Sequence, residues 1–315
     1  MIGDAYAFVT GGAALDATSN IFSRKALDGG MRKREWLLTG FFTGVSSLFL
    51  FAIWWILGAE TNIKSGFWFA VFATGLLNIG IQYFSTKSRS LEDVSLVTPI
   101  AASTPAIVII LSLLILGEKP SLIGWIGIYL LIIGVYILNI QEFLNKKKKN
   151  EGRVTWKDWF APFLMLSKSV GIRYAFGAAC LGALALNYDG LIARTADIKF
   201  ALAVKWLIVA LPCLFMSFMR KEIKKETSDR CAPRRFAFRH IIVISLIGVL
   251  LSVAGILNAM AFQETIVPYV GTLKRLQIPM TIILAYFFLG EKLNFKNRLG
   301  GGIIMAVGAL LVGIS

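Results

Sequence analysis

Ten apolar runs separated by polar connections constrain this chain more than any other feature of its sequence. Each run is close to the twenty or so residues that an α-helix needs to cross the hydrocarbon core of a bilayer. The chain of 315 residues is 57% hydrophobic with a mean hydropathy of +0.70, far above the usual composition of a soluble domain. We therefore predict an all-α membrane protein with ten transmembrane helices. The predicted spans are Gly3–Phe22, Trp36–Gly58, Gly66–Thr86, Val94–Leu116, Leu122–Gln141, Arg173–Ile192, Lys199–Met219, His240–Phe262, Pro268–Gly290 and Leu299–Ile314.

The second half of the sequence repeats the first. A Leu-Gly-Glu-Lys motif follows the fourth span at 116–119 and the ninth span at 289–292, and the next helix then carries a glycine in register, Gly127 or Gly300. The sequence thus predicts a five-helix repeat at 1–141, a linker at 142–171 and a second five-helix repeat at 172–315. Because five is an odd number, the second repeat enters the membrane inverted relative to the first, an arrangement common in secondary transporters.

The linker starts with the basic run Lys146–Lys149 and continues with aromatic residues at helical spacing, Trp156, Trp159, Phe160 and Phe163. A segment of this kind forms either a short amphipathic helix in the membrane interface or a loosely ordered connection. The sequence favours neither.

Basic residues are concentrated in alternate connections. Those after the odd-numbered spans hold 25 Lys and Arg, and those after the even-numbered spans hold only a few. The positive-inside rule then predicts that the odd connections are cytoplasmic and that both termini lie outside. Since orientation explains the net charge of +15, nucleic acid is not an expected partner.

The ninth span contains two adjacent cations, Lys274 and Arg275. At a rise of about 1.5 Å per residue, both lie within about 6 Å of its midpoint. A cation at that depth costs about 2.5 to 3.5 kcal/mol on insertion scales and usually faces a cavity. Pro279 has no N–H for the carbonyl of Arg275, so the helix is expected to open beside the charges. We predict that Lys274 and Arg275 bind an anionic substrate.

Other polar residues within the spans are weaker candidates. Lys205 is either a third anion ligand or a residue whose long stem reaches the interface. Asp16, the only acid deep in a predicted span, is expected to pair with a buried lysine, carry a coupling proton or stay neutral. A third set is expected either to line a polar pocket between the repeats or to bond neighbouring helices: Asn78, Gln82 and Tyr83 in the first repeat, and Asn258, Gln263 and Tyr269 in the second.

Several charged residues near the span ends receive structural interpretations. Glu118 and Glu291, in the repeated motif, precede a helix and are expected to stabilise its N-terminus. Arg173, Arg194 and Lys199 are expected to reach towards the lipid headgroups.

Motifs of the common enzyme classes are absent from the sequence, including His-Glu-x-x-His, Gly-x-Ser-x-Gly and the P-loop. The three cysteines, Cys180, Cys213 and Cys231, form no close-set pair and no metal pattern with His240. We expect no enzymatic activity, no cofactor and no metal site.

Five-span repeats that each contain Gly-Glu-Lys before a glycine-spaced last helix resemble the drug/metabolite transporter superfamily in its ten-span form. The resemblance covers essentially the whole chain and implies a bacterial or archaeal cytoplasmic membrane protein. The stretch GTLKRLQIPMTII is also similar to the ninth span of the plastid triose-phosphate translocators, over barely a dozen residues. In those proteins an adjacent Lys and Arg hold a substrate phosphate, a role that the resemblance gives to Lys274 and Arg275.

Together these features predict a carrier that moves a small organic metabolite by alternating access, with a phosphorylated or carboxylate solute as substrate. Exchange is the expected mode, because two cations in an empty site repel each other. Two alternatives stay open: a proton-coupled exporter of amino acids or other neutral or zwitterionic metabolites, and a flippase for a phosphorylated lipid. The expected partners are the solute and the lipid bilayer, and a homodimer is left open.

Overall fold

The computed structural model describes residues 2–26, 35–92, 94–151, 153–220, 234–288 and 295–315. Within these ranges the chain forms α-helices and short 3-10 turns and no β-strand. The helices are α1 (Ile2–Ala26), α2 (Glu35–Ile56), α3 (Phe67–Leu91), α4 (Val94–Ala101), α5 (Thr104–Ile115), α6 (Leu122–Glu151), α7 (Ala161–Leu164), α8 (Val170–Thr195), α9 (Ile198–Met219), α10 (Arg234–Glu264), α11 (Val267–Leu273), α12 (Gln277–Phe288) and α13 (Phe295–Ile314).

Seven helical segments in the described ranges are long and apolar enough to cross a membrane. The chain is therefore an all-α, multi-pass integral membrane protein, as predicted. The seven do not include the predicted first, ninth and tenth spans, so the count of ten stays a prediction. The seven segments are Glu35–Ile56, Phe67–Leu91, Leu96–Ile115, Leu122–Asn150, Val170–Thr195, Ile198–Met219 and Ile241–Glu264.

The side chains are distributed as expected for a protein in lipid. Leu48, Phe69 and Leu114 are at least 70% exposed on the outside of the bundle, while Ser46 and Thr74 are buried inside it. The Ser46 hydroxyl donates to the carbonyl of Gly248 on α10 at 2.7 Å. Hydrogen bonds of this kind join helices where the hydrophobic effect cannot.

The helices of the two halves pack in reciprocal pairs. The first helix of the first half, α1, packs against the third long helix of the second half, α10; in the same way, α3 packs against α8. The second helices, α2 and α9, pack against each other, and so do the last helices, α6 and α13. Such a pattern is what a two-fold relation between the halves produces.

The contact between α6 and α13 shows how the two halves are oriented. A Cβ on Gly127 would lie 2.7 Å from the carbonyl oxygen of Gly308, and one on Gly134 would lie 2.8 Å from that of Gly301. The earlier glycine of each helix thus meets the later glycine of the other, so the helices run antiparallel and only glycine permits this approach. Gly300, which corresponds to Gly127 in the sequence repeat, lies outside this contact, since a Cβ there would meet nothing within 4 Å.

Two of the predicted spans are divided at the same place in each half. The fourth span forms α4 and α5 with a break at 102–103, and the ninth forms α11, a 3-10 turn at Lys274–Leu276, and α12. In the 3-10 turn the N–H of Gln277 bonds to the carbonyls of Lys274 and Arg275. The helix is thus tightened into a 3-10 turn at the two cations, and the carbonyl of Arg275, for which Pro279 has no N–H, accepts from Gln277 instead of being left open.

The described part of the linker is built from the end of α6 and two short turns. Helix α6 continues ten residues beyond the predicted end at Gln141, and a 3-10 turn at Trp156–Phe160 and the single turn α7 follow. Thr155 and Asp158 form a capping box, and Lys147 donates to Asp158 at 2.6 Å. These hydrogen bonds, from Lys147 first and then Thr155, lower the pKa of Asp158 to about 2.

Candidate functional site

Two cavities adjoin in the middle of the bundle, between the two halves of the chain. We call one the arginine chamber, which has a volume of about 420 Å³ and contains the charged residues Arg89, Lys274 and Arg275. The other is the aspartate chamber, which has a volume of about 220 Å³ and contains Asp16, Asp189, Lys205 and Lys274. Lys274 lines both cavities, together with Ile81, Gly182 and Leu186.

The break in the ninth span places both predicted cations in the arginine chamber. Lys274 and Arg275 enter it from the 3-10 turn, and Arg89 enters from the last turn of α3. Among the described residues, no acid lines this chamber, and no hydrogen-bond or ion-pair partner is present for the Arg275 guanidinium. The Arg89 side chain is 44% exposed, so the chamber reaches the surface at the end of the bundle that carries the linker.

Neutral polar groups complete the arginine chamber. They are Ser85 and Ser88 on α3, Thr98 on α4, Thr104 on α5 and Gln277 on α12. Three cations surrounded by hydroxyl and amide groups are the composition of an anion site, since phosphates and carboxylates accept hydrogen bonds from all of these groups.

The aspartate chamber contains an ion pair that the sequence did not reveal. Lys205 Nζ lies 2.7 Å from Asp189 Oδ2, and the hydroxyl of Thr74 donates to Asp189 Oδ1 at 2.6 Å. The Lys205 side chain is only 6% exposed, so it does not extend to the interface, which was one of its two predicted roles. Its other predicted role, anion ligand, is altered as well because its charge is already balanced by Asp189.

Asp189 is a correction to the prediction that Asp16 is the only deep acid. The sixth span was predicted to end at Ile192, which puts Asp189 near the interface, but α8 continues to Thr195. Asp189 stands 173 positions after Asp16, the same separation as between Gly117 and Gly290 of the repeated motif.

Asp16 itself lies near the second predicted partner. Its Oδ2 is 4.0 Å from Lys274 Nζ, the limit of an ion pair, and the residue is buried. Lys274 is 35% exposed, so Asp16 lies beside a partly exposed lysine, at a longer distance than the 2.7 Å between Asp189 and Lys205.

The six predicted amide and tyrosine ligands divide into two groups. Asn78 and Asn258 line the aspartate chamber, and Asn78 donates to the carbonyl of Thr74 at 2.8 Å. The remaining four line neither chamber in the described part of the chain: Gln82 and Tyr83 lie farther along α3, and Gln263 and Tyr269 lie where α10 ends and α11 begins.

A compact hydrogen-bond network connects the halves at the end of the bundle opposite the linker, which we call the Glu118 end. Glu118 Oε1 accepts from Arg194 at 2.7 Å, and Oε2 accepts from Ser112 at 2.8 Å and from the backbone N–H of Val267 at 2.7 Å. Arg194 also donates to two backbone carbonyls, those of Phe262 at 2.8 Å and Thr265 at 2.9 Å. These bonds tie the α5–α6 connection of the first half to α8, α10 and α11 of the second.

This network corrects two predictions. Glu118 meets the N-terminus of α11 in the other half, not that of the helix that follows it in sequence. Arg194 is held by an acid and two carbonyls instead of reaching to the headgroups. Lys199 likewise bonds to Asp197, at 2.8 Å. Glu291, the second acid of the repeated motif, lies outside the described residues.

Two of the predicted substrate ligands also belong to this end. Gln263 donates to the carbonyl of Ala193 at 2.7 Å, and the Tyr269 hydroxyl accepts from the backbone N–H of Ser121 at 2.9 Å. Both contacts join one segment of the bundle to another, which is the second of the two roles that the sequence left open for these residues.

Metal ligation receives no support from the described part of the chain, where no group of three or more His, Cys, Asp and Glu side chains is arranged to hold an ion.

Comparison with known proteins assigns the fold to a family. The sequence model of the EamA-like transporter family matches residues 3–140 and again 169–314, once for each half of the chain. No curated protein matches the sequence significantly. A crystal structure of a protein at 13% identity is similar over 98% of this chain and 96% of its own, with a TM-score of 0.71, and shows that the fold is shared.

Proposed function

The chain belongs to the EamA-like transporter family, part of the drug/metabolite transporter superfamily, and from this premise we propose that it carries a small organic anion across the membrane by alternating access. The family makes it a membrane transporter of small molecules. The arginine chamber supplies the observation that carries the proposal: Arg89, Lys274 and Arg275 line one cavity in which no described acid takes part.

Electrostatics favour an anion in this chamber. A unit charge 4 Å from an opposite charge gains about 4 kcal/mol at an effective dielectric constant of 20. Arg89 and Lys274 have acid partners outside the arginine chamber, Glu35 at 3.3 Å and Asp16 at 4.0 Å, so Arg275 supplies the unbalanced charge among the described residues. Arg275 in addition offers the planar fork that binds a phosphate or carboxylate through two parallel hydrogen bonds. We therefore assign Lys274 and Arg275 as the residues that bind the anionic group, with the hydroxyls of the chamber orienting it.

The two ends of the bundle support the alternating-access part of the proposal. The arginine chamber reaches the surface at the linker end, whereas the Glu118 end is joined across the halves by Glu118 and Arg194. The broken fourth and ninth spans lie between these ends, which is where secondary transporters place their substrate sites. In the proposed cycle the Glu118 network separates when the site turns to the other side.

Exchange is the proposed mode of transport. Without an anion, Lys274 and Arg275 repel each other in a partly buried cavity, so the empty carrier reorients slowly. With an anion bound, the charge is balanced and reorientation is faster. Uptake should accordingly depend on a transportable anion on the opposite side of the membrane.

The test is transport by the full chain reconstituted in liposomes that are preloaded with glycerol 3-phosphate, phosphate or malate. Arg275→Gln should abolish exchange of the anion that the wild type transports, with a similar yield of folded protein. Arg173→Gln is the matched control, since Arg173 is an exposed residue of α8 outside both chambers. Exchange by Arg275→Gln at the wild-type rate would contradict the proposal.

One observation favours a second candidate, a proton-coupled exporter of amino acids or other zwitterions. Asp16 is buried 4.0 Å from Lys274, so a proton that reached Asp16 would weaken this pair and alter the charge of the site. Asp16→Asn should then remove the dependence of amino-acid efflux on a pH gradient. Efflux that remains coupled to the gradient in this variant would exclude Asp16 from that role.

A further inference from the structure

The two chambers differ in the balance of their charges. The described charged residues of the arginine chamber are three cations, Arg89, Lys274 and Arg275. Those of the aspartate chamber are two acids, Asp16 and Asp189, and two lysines, Lys205 and Lys274, with a formal sum of zero. An anionic group is thus attracted to one chamber, and the adjoining chamber offers it no net charge.

The neutrality of the aspartate chamber depends on Asp189. Among the described residues, Asp189 is the acid within ion-pair distance of Lys205, at 2.7 Å, and the remaining oxygen of Asp189 is occupied by Thr74 at 2.6 Å. The Lys205 ammonium otherwise lies over the Trp206 ring, 4.7 Å from its centroid. Without Asp189, a buried ammonium would be unbalanced at the far side of the substrate cavity.

We propose that Asp189 is a specificity-determining residue, which restricts the carrier to solutes with an anionic group at one end and an uncharged polar body at the other. The inference rests on the proposed function. The anionic group binds beside Lys274 and Arg275, and the body extends into the aspartate chamber, which Asn78 and Asn258 line. A second anionic group at that end would lie beside the Asp189 carboxylate, and the Lys205 charge there is already balanced by Asp189, which selects against such a group.

Asp16 provides the comparison, because it is the other described acid of the aspartate chamber. Its partner Lys274 is shared between the chambers, so removal of Asp16 adds positive charge at the border, where the single anionic group already binds. Removal of Asp189 adds positive charge at the opposite side of the cavity. The two aspartates should therefore affect selectivity differently.

The experiment measures binding of two matched pairs of probes to the purified full chain by isothermal titration. The pairs are fructose 6-phosphate with fructose 1,6-bisphosphate, and 4-hydroxybutyrate with succinate; the second member adds an anionic group at the far end. The wild type should bind the one-ended member at least about tenfold more tightly in the pair that it recognises. Asp189→Asn should reduce that ratio by about tenfold or invert it, and Asp16→Asn should leave it within about threefold.

Two further variants keep the result independent of folding. Asp189→Asn leaves a buried ammonium unpaired and is expected to lose thermal stability. Asp189→Asn combined with Lys205→Gln removes both charges and should restore the wild-type ratio. Lys205→Gln alone leaves the carboxylate unbalanced, so it should weaken binding of the two-ended probe still further while the one-ended probe binds as before. If Asp189 and Lys205 only stabilised the fold, Asp189→Asn and Lys205→Gln would not change the ratio of the two probe affinities in opposite directions.

Each outcome decides a specific claim. Equal binding of both members by the wild type, or an unchanged ratio in Asp189→Asn and in Lys205→Gln, would overturn the role of Asp189 and leave the proposed function intact. A wild-type protein that binds neither member of either pair would instead contradict the proposed function.

Discussion

Two carboxylate–arginine pairs lie at opposite ends of the bundle, and they connect different parts of the molecule. Glu118 and Arg194 meet at 2.7 Å and join the first half of the chain to the second. Glu35 and Arg89 meet at 3.3 Å and join α2 to α3 within the first half. The same chemistry therefore joins the two halves at one end and two helices of a single half at the other.

The pair that joins the two halves also has the more buried carboxylate. The Glu118 side chain is 9% exposed and each of its oxygens has a partner, whereas the Glu35 side chain is 33% exposed. A largely buried pair costs several kcal/mol to break, and an exposed pair contributes about 0 to 1 kcal/mol. In the proposed alternating-access cycle, the end joined by the more buried pair is the end that has to open.

The largest expected effect is that of Glu118→Ala. It removes the partner of Arg194 and of the Val267 N–H, and should lower the free energy of unfolding by about 3 kcal/mol. Val267 is fully buried beside Glu118, so a cysteine at this position, in a chain whose native cysteines are replaced by alanine, should react slowly with a thiol reagent. Glu118→Ala should increase that rate at least about tenfold, because the Glu118 end opens more often.

Asp197→Asn is the control for this experiment. Asp197 lies at the same end but bonds to Lys199 within the second half, so its loss should leave the labelling rate at position 267 nearly unchanged. Equal acceleration by both variants would show that Glu118 is no more than one of several surface contacts.

A substitution at the contact between α6 and α13 is expected to affect the Glu118 end and the linker end of the bundle equally. Gly308→Ala adds a methyl group that would lie 2.7 Å from the carbonyl oxygen of Gly127. This clash should cost about 2 kcal/mol of stability. Gly300→Ala, on the same helix, meets nothing within 4 Å and should change stability by less than about 0.5 kcal/mol. Thermal unfolding in detergent measures both, and similar losses would contradict the antiparallel glycine contact.

A smaller effect is expected from Glu35→Gln at the linker end. Loss of an exposed pair should change the free energy of unfolding by less than about 1 kcal/mol. Arg89 then has no acid partner at the mouth of the arginine chamber, so anion affinity should rise by about threefold. In free energy this gain is similar in size to the loss of the exposed pair. Titration with the transported anion checks this, and weaker binding would mean that Arg89 needs Glu35 to hold it in place.

The smallest effect concerns the linker. Since hydrogen bonds lower the pKa of Asp158 to about 2, below the usual value of about 3.9, its ionised form stabilises the folded linker. That contribution is complete above about pH 4 and is lost as the pH falls through about 2. The difference in thermal stability between the wild type and Asp158→Asn should thus be constant from pH 8 to pH 5 and disappear near pH 2; a difference that changed between pH 8 and pH 5 would contradict this assignment.

The sequence predicted those features that depend on one segment of chain. Apolar runs identify the helices, and the cations Lys274 and Arg275 beside Pro279 identify the broken ninth span, because burial cost and the missing N–H act locally. The repeated Leu-Gly-Glu-Lys motif likewise identified the two-fold relation, which the family match at 3–140 and 169–314 reflects.

Features that depend on contacts between distant segments were not predictable in the same way. The bond between Glu118 and Arg194 and that between Asp189 and Lys205 each require the exact packing of two helices. A shift of one residue also decided that Gly301, and not Gly300, faces Gly134. Helix α8 ends three residues beyond the predicted span, and Asp189, expected near the interface, is a partly buried acid paired with Lys205.

The most direct test of the central claim asks whether an anion occupies the arginine chamber. Ser85 lines this chamber, so Ser85→Cys, in a chain whose native cysteines are replaced by alanine, gives a single thiol beside the proposed site. The transported anion should slow its reaction with a neutral thiol reagent, an uncharged analogue of the same solute should not, and Arg275→Gln should remove the protection. Equal protection by the anion with and without Arg275, or none by any transported anion, would contradict the account.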